Sequence, residues 1–338
     1  MHFFIKFGLN LIRMKNITLL FFTLCFVLFC TFIIYYLEPD TFGNFLNSFY
    51  FVMTTFTTVG YGDYSPVTEI GKLFTVFMYL MGIGLLSIVI GKVIDAFTIY
   101  KRKREEGKLQ YKKENHIIII GWSKKTEVAI NEILASNKTM EVVLIDSLPQ
   151  SPFDISKERV HYIQGDPAEE SSYQKANISK AKSVIIFSDE SIEQPSLRDA
   201  KTLTIAIIVE RLAPTVHTTV EILIEEHISN FSHVKVDEFI LSQETISNLA
   251  VRSALYKGVS KIYSQLLSRS HGENLYQIPK KETWNTYKEA FNDLLNQGAT
   301  LIADGNKLDI NRRLNEMIPS NAELYIICDQ TTYDNILK

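Results

Sequence analysis

Residues 57–63 read Thr57-Thr58-Val59-Gly60-Tyr61-Gly62-Asp63, and the flanks of this run decide how the chain folds. A backbone that turns its carbonyls to one side residue after residue needs angles that Gly60 and Gly62 reach without steric cost. Upstream, residues 17–37 form an uncharged apolar run of about 21 residues. At 1.5 Å per residue it measures roughly 31 Å as a helix, the thickness of a bilayer's hydrocarbon core. Downstream, residues 73–91 are a second uncharged run, inside a helical pattern predicted over 70–100. Between the two, residues 45–57 are apolar and aromatic but too short to cross. The order is therefore spanning helix, short re-entrant helix, extended run, spanning helix. Non-helical backbone at membrane depth is tolerated only where it lines a wet cavity enclosed by protein. Two spanning helices cannot enclose such a cavity, so the arrangement implies a tetramer.

Charge sets the orientation. Lys6, Arg13 and Lys15 precede the first run, and Lys101, Arg102, Lys103, Arg104, Lys108, Lys112 and Lys113 follow the second. The intervening loop carries Glu38, Asp40, Asp63 and Glu69, with no Lys or Arg before Lys72. By the positive-inside rule this predicts a multi-pass protein of the plasma membrane, with both termini cytoplasmic and the Thr57–Asp63 run facing outward. The first run is too long for a signal-peptide core and lacks a small-residue cleavage site, so it is expected to stay. The 338 residues carry a formal charge of −3, and no basic face interleaved with aromatics speaks for nucleic acid. The basic cluster at 101–104 is placed to meet anionic lipid head groups, or simply to set topology. Cys25, Cys30 and Cys328 read as small apolar packing residues, without metal-site spacing.

Beyond the first hundred residues the composition becomes that of a soluble α/β protein. Short apolar strands are predicted at 116–120, 142–146, 160–164, 183–188, 217–222 and 238–241, with helices at 124–135, 167–176 and 195–212. Continuous apolar strands separated by helices of this length indicate βαβ units and a buried parallel sheet, a Rossmann-like domain. The dinucleotide fingerprint is incomplete: Gly121 is present, but Ser123 and Thr126 stand where the second and third glycines belong. Asp146 ends the second strand, where an acidic residue either holds a ribose diol or caps the next turn. No poised nucleophile–base pair or cofactor-gripping loop supports catalysis, so the chain is not read as an enzyme.

A helical stretch over 244–267, broken at Gly258, is suited to a dimerisation arm. From residue 272 a small α/β unit follows, with strands predicted at 274–278, 299–303, 307–310 and 324–328 and a helix at 286–296. Asp304-Gly305 is a tight-turn signal between two of those strands. The predicted organisation is a pore domain at 1–100 (helices 17–37 and 70–100, pore helix 45–57, filter 58–62) and a linker at 101–115. A Rossmann-like domain with dimerisation helices follows at 116–268, and a C-terminal subdomain at 272–338.

Taken together, the chain resembles the two-helix prokaryotic potassium channels that carry a cytoplasmic RCK (regulator of potassium conductance) domain. The pore carries the resemblance in Tyr50-Phe51 and Thr57–Asp63, and the regulatory domain in residues 116–123, Gly165-Asp166-Pro167 and residues 184–187. The resemblance implies a membrane α-helical pore domain, tetrameric, fused to an α/β Rossmann-like RCK domain with a small α/β C-terminal subdomain. It implies that the carbonyls of Thr58, Val59, Gly60 and Tyr61, with the Thr58 hydroxyl and the bend at Gly62, replace the hydration shell of K+. Phe51, Thr54 and Asp63 then support the filter. Phe51 stands where the family places tryptophan, and Thr54 where some relatives place glutamate, so the cuff around Tyr61 is expected to be looser. Gly82 matches the family's hinge glycine and Gly84 adds a second weak point, though small residues also let membrane helices pack closely. Ser87 and Asp95 share a helix face with Gly91. There Asp95 either forms a carboxylate ring at the pore mouth or pairs with Lys92.

RCK domains pair and assemble into a ring that pulls on the inner helices, in some channels with additional soluble RCK copies. An internal start for such copies is unsupported, since no methionine lies between Met81 and Met140. The regulatory ligand stays open among Ca2+, an adenine nucleotide and cyclic di-AMP, with Gly121, Asp146, Asp166 and Glu221 as candidate contacts. Of the family's calcium carboxylates Glu221 is present, but Phe187 and Leu223 replace the others, and one carboxylate is not a calcium site. The sequence therefore predicts passive, ligand-gated K+ transport. The alternative is a membrane-anchored nucleotide or redox sensor with a non-conducting or non-selective cation pore.

Overall fold

The computed structural model describes residues 15–154, 159–268 and 272–337; Lys6 and Arg13, used above for orientation, lie outside them. Two compact units are present, Met1–Lys103 and Arg104–Lys338.

The first unit holds α1 (Asn16–Leu37), a one-turn α2 (Pro39–Phe42), α3 (Phe45–Phe56) and α4 (Glu69–Glu105). Helices α1 and α4 are both long and apolar enough to cross a bilayer. Helix α1 is apolar on every side and leaves Phe21, Leu24, Phe29 and Phe32 exposed, as a helix solvated by lipid does. Helix α3 begins at Asn44, whose side chain accepts the Asn47 N–H at 2.8 Å. It packs through Phe51, Val52 and Phe56 onto Val27, Cys30 and Ile34 of α1 and Met78 of α4.

The second unit is built on a six-stranded, all-parallel sheet in the order β3-β2-β1-β4-β5-β6. Its strands are β1 (Ile117–Ile120), β2 (Val142–Asp146), β3 (Val160–Gln164), β4 (Ser183–Ile186), β5 (His217–Ile222) and β6 (Glu238–Leu241). Helices α5 (Lys124–Ser136), α6 (Glu170–Lys175) and α7 (Pro195–Leu212) make the crossovers. This is the doubly wound order, with its switch point between β1 and β4. Consecutive β1 residues serve opposite faces: Ile118 and Ile120 join one core with Tyr173, Ile205 and Val209, while Ile119 joins the other with Ile130, Leu144 and Tyr162. Both faces are buried, which is why these strands read as unbroken apolar runs.

Two helices follow, α8 (Ser242–Leu255) and α9 (Val259–Leu267), parted at Gly258, whose φ of 99° only glycine adopts readily. The C-terminal subdomain has an antiparallel sheet in the order β7-β9-β8, formed by β7 (Asn274–Ile278), β8 (Thr300–Asp304) and β9 (Leu324–Cys328). Helix α10 (Tyr287–Asn296) packs on it around Trp284, Leu294 and Ile326, and α11 (Gln330–Ile336) follows β9.

Two local expectations need correction. Residues 307–310 are not a strand: after the Asp304-Gly305 turn a single bridge joins Asp304 to Lys307. The chain then enters a 3-10 turn at Ile310–Arg312, which buries Ile310 in the subdomain core. Helix α6 starts at Glu170 rather than 167, because Asp166 closes a turn by accepting the Ala168 N–H at 2.8 Å.

Candidate ion pathway and ligand crevice

The Thr57–Asp63 run is held by the end of α3. The Thr54 carbonyl accepts two successive amides, from Val59 at 2.9 Å and Gly60 at 3.1 Å. In the run itself φ is positive at alternate residues: Thr58 at 62°, Gly60 at 54° and Gly62 at 78°. A backbone whose φ alternates in sign sends successive N–H groups to one side and successive carbonyls to the other. The amides of Thr58, Val59 and Gly60 all donate back to carbonyls at the end of α3. Glycine accepts this conformation freely; Thr58, β-branched at φ 62°, stores about 1–3 kcal/mol of strain.

The supports differ from those expected. Phe51, expected behind Tyr61, is buried against Phe42 at a 5.1 Å ring separation. In this chain it is Tyr50 that stacks on Tyr61, with centroids 6.4 Å apart and rings within 2° of parallel. The Thr54 hydroxyl donates to the Phe51 carbonyl at 3.0 Å, so Thr54 meets the Thr57–Asp63 run through its backbone carbonyl. Asp63 accepts the Tyr64 N–H at 3.1 Å.

Sequence reasoning missed Glu38. It is 3% exposed and gathers the Val67 and Thr68 N–H groups at 3.1 and 2.8 Å, the Thr68 hydroxyl at 2.6 Å and the Thr41 hydroxyl at 2.7 Å. This carboxylate ties the end of α1 to the segment entering α4, and Gly71 leaves room for it, since a Cβ there would lie 2.3 Å from Glu38 Oε1. The available signal was a carboxylate closing an apolar run just before Pro39.

Gly82 and Gly84 separate in role. A Cβ on Gly82 would stand 2.6 Å from the Phe56 ring, whereas Gly84 faces open space. Ser87 and Asp95 are exposed on α4, and the Ser87 hydroxyl returns to the Ile83 carbonyl at 2.8 Å.

In the second unit a crevice of about 220 Å³ opens at the β1/β4 switch point, lined by Gly121, Ser123, Asp146, Asp189 and Lys201 among others. Where the fingerprint lacks glycine the turn is self-capped: the Thr126 hydroxyl donates to the Gly121 carbonyl at 2.6 Å, and Ser123 caps α5. Asp146 accepts the Trp122 N–H at 2.7 Å and the Leu148 N–H at 2.9 Å, so the turn-capping role is realised while each oxygen keeps a free lone pair. Asp189 pairs with Lys201 at 2.6 Å; burial opposes its charge, but Lys201 and Ser191 overcome this and bring its pKa down to about 2.

Asp166 is occupied in its turn and does not line the crevice. Glu221, 3% exposed, accepts the Lys125 ammonium through both oxygens at 2.7 and 2.9 Å and the Ser188 N–H at 2.9 Å. Glu190 lies 3.1 Å from the same ammonium. The carboxylate carried over as a calcium contact is thus neutralised by a resident cation. Among the described residues no group of three His, Cys, Asp or Glu side chains is placed to hold a metal ion.

Known proteins share both units. The profile of the "Ion channel" family matches residues 22–99, and that of the "TrkA-N domain" matches residues 117–242. YugO of Bacillus subtilis (strain 168), a potassium channel protein by name, is 32% identical over 225 residues, which cover 66% of this chain and 67% of that one. The calcium-gated potassium channel TvoK of Thermoplasma volcanium is 30% identical over 238 residues, covering 70% of this chain and 67% of TvoK. The solved GsuK channel shares the fold, with a TM-score of 0.51 at 16% identity over 95% of this chain; the match spans 58% of the GsuK chain.

Proposed function

The chain belongs to the family of potassium channels in which an ion-channel pore precedes a TrkA-N (RCK) domain, and from that premise we propose that it conducts K+ passively through a homotetrameric pore under control of a ligand bound to its RCK domain. The observation that carries this reading is the alternation of φ through Thr58, Gly60 and Gly62, with two successive amides anchored on Thr54. That backbone supplies several carbonyl oxygens per chain. Four chains around an axis would stack them into rings that substitute for water around a dehydrated cation. K+ is here the cargo, held by Thr58, Val59, Gly60 and Tyr61.

In this reading both termini face the cytoplasm, as the basic residues that close α4 and those that follow it favour. The regulatory ligand enters the crevice around Gly121, Ser123 and Asp146. A nucleotide suits this place better than calcium does: the crevice offers free carboxylate lone pairs beside the β1–α5 turn, whereas Glu221 already holds Lys125. TvoK is calcium-gated; this chain's Glu221 supports no transfer of that ligand.

Reconstituted channel in proteoliposomes or a planar bilayer tests the proposal. Under bi-ionic K+/Na+ conditions the reversal potential should lie close to the K+ equilibrium value. Equal permeability to the two ions, or no flux with any ligand, would refute it. In parallel, adenine nucleotides but not Ca2+ should raise the thermal midpoint of the purified protein, since a ligand that binds only the folded state stabilises it.

A further inference from the structure

The segment between α4 and β1 does not hang free. Gly107 lies buried with φ of 60°, and its carbonyl accepts the Gln164 N–H at 3.0 Å. A Cβ at that glycine would come within 2.3 Å of the Gln164 nitrogen. Further along, the Tyr111 N–H donates to the Lys175 carbonyl at 2.8 Å, the Asn115 N–H to the Lys180 carbonyl at 2.8 Å, and the Asn177 amide to the Lys113 carbonyl at 2.9 Å. The centre of this seam is Tyr111, 5% exposed, whose ring lies against two imidazoles, 4.4 Å from His116 and 5.4 Å from His161.

Both imidazoles are placed as neutral rings. Nε2 of His161 faces the Leu109 carbonyl of the linker at 2.8 Å, and Nε2 of His116 faces the Ala176 carbonyl at 2.9 Å. Since a carbonyl only accepts, each Nε2 carries the proton and donates it. His116 is fully buried and its Nδ1 has no hydrogen-bond partner. A proton added there would bury a charged N–H with nothing to receive it.

We propose that Tyr111, His116 and His161 form a proton-released clamp that docks the linker at neutral pH and frees it on acidification. The titratable and charged groups facing the pair are Tyr111, Glu141, Lys113 and Arg104, besides the two histidines themselves. Glu141 accepts the Tyr111 hydroxyl at 2.9 Å and is tied to the Lys113 ammonium, and its charge pulls the pKa of both histidines upward. Burial, the largest influence, lowers the pKa of both histidines against the pull of their carbonyl partners and of Glu141. His161 further opposes protonation of His116, and Arg104 opposes that of His161.

The sign follows from linkage. A histidine whose pKa is depressed when docked favours docking at pH above its undocked value, about 6.5, and loses that contribution as pH falls below it. Between the undocked and docked values, each pH unit favours release about tenfold per histidine. The clamp is a property of the folded chain and does not rest on the channel reading.

The test is hydrogen exchange on the full-length protein in detergent or nanodiscs, with the amides of β2 as internal reference. Relative to that reference, the amides of Tyr111, Asn115 and Gln164 should lose protection about tenfold or more between pH 7.5 and 5.5. The His116→Phe/His161→Gln variant keeps a ring at one site and a donor at the other, and should abolish that dependence. Should the double variant fail to fold, His161→Gln alone should reduce the slope. Unchanged wild-type protection, or an unchanged pH dependence in either variant, would overturn the proposal.

Discussion

Glu38 and Glu221 are two buried carboxylates satisfied in different ways, and each predicts a different failure. Glu38 collects four neutral donors, two of them backbone amides at the start of the inner helix. Glu38→Gln loses the charge that strengthens these bonds and turns one acceptor into a donor facing donors. A loss of about 2–3 kcal/mol is expected, read as a lower thermal midpoint of the detergent-solubilised channel, and Glu38→Asp should not restore it because the chain is shorter. At Glu221 burial alone would raise the pKa, yet Lys125, Ser242 and the Ser188 amide hold it below the ordinary value. The stabilisation is therefore present above the unfolded pKa of about 4.3 and is lost as pH falls through the lower folded value. Lys125→Met should destabilise the second unit by about 2–3 kcal/mol at pH 7, toward the low end for a broken buried pair because Lys125 is 36% exposed. The deficit should shrink toward pH 4, as urea unfolding at both pH values would report. Neither carboxylate's role could be read from spacing, because their partners lie about 30 and 96 residues away in the chain.

At the scale of elements, most of the architecture was legible because the apolar patterns are strong. Continuous Ile and Val runs marked β1 and β2, and two uncharged runs marked α1 and α4. What escaped was set by local capping: the helix expected at 167 waits for the Asp166 turn to close, and the strand expected at 307 yields to a 3-10 turn anchored by Ile310. In the candidate site, the need for unusual backbone angles at Gly60 and Gly62 was legible in the sequence, and both have positive φ. The props of the run were not, since whether Tyr50 or Phe51 meets Tyr61 depends on the rotation of α3, which its packing against α1 decides. The same packing splits the two glycines of α4. Gly82→Ala should push against Phe56 and impair assembly or conduction, with partial rescue by Phe56→Leu in the same chain. Gly84→Ala meets open space and should leave the fold intact, strengthening the helix by about 1 kcal/mol. A large change in open probability for Gly84→Ala with normal tetramer yield would identify that position, rather than Gly82, as the bending point. Single-channel recording and gel filtration of the three variants separate these outcomes.

At the scale of the whole molecule, the second unit carries an uncovered surface that argues for assembly beyond one chain. Helices α8 and α9 contain no buried residue, yet Ile246, Val251, Leu255, Ile262, Tyr263 and Leu267 are apolar or aromatic and exposed. A helix pair with such a stripe is stable in water only against a partner. A second copy of the same helices, related by a twofold axis, offers a self-complementary patch. Residues 104–338 contain their own cores on both faces of the parallel sheet and in the C-terminal subdomain, so they should fold without the pore. Expressed alone, this fragment should sediment as a dimer or a higher even-numbered species at micromolar concentration. Replacing Leu255 and Ile262 by serine should shift it to monomer while leaving its circular dichroism unchanged. The same pair of substitutions in the full-length channel should leave K+ selectivity intact, because the filter is built wholly within residues of the first unit, but should uncouple conduction from the RCK ligand. Selectivity lost together with ligand response would instead mean that pore and regulatory unit fold as one cooperative block.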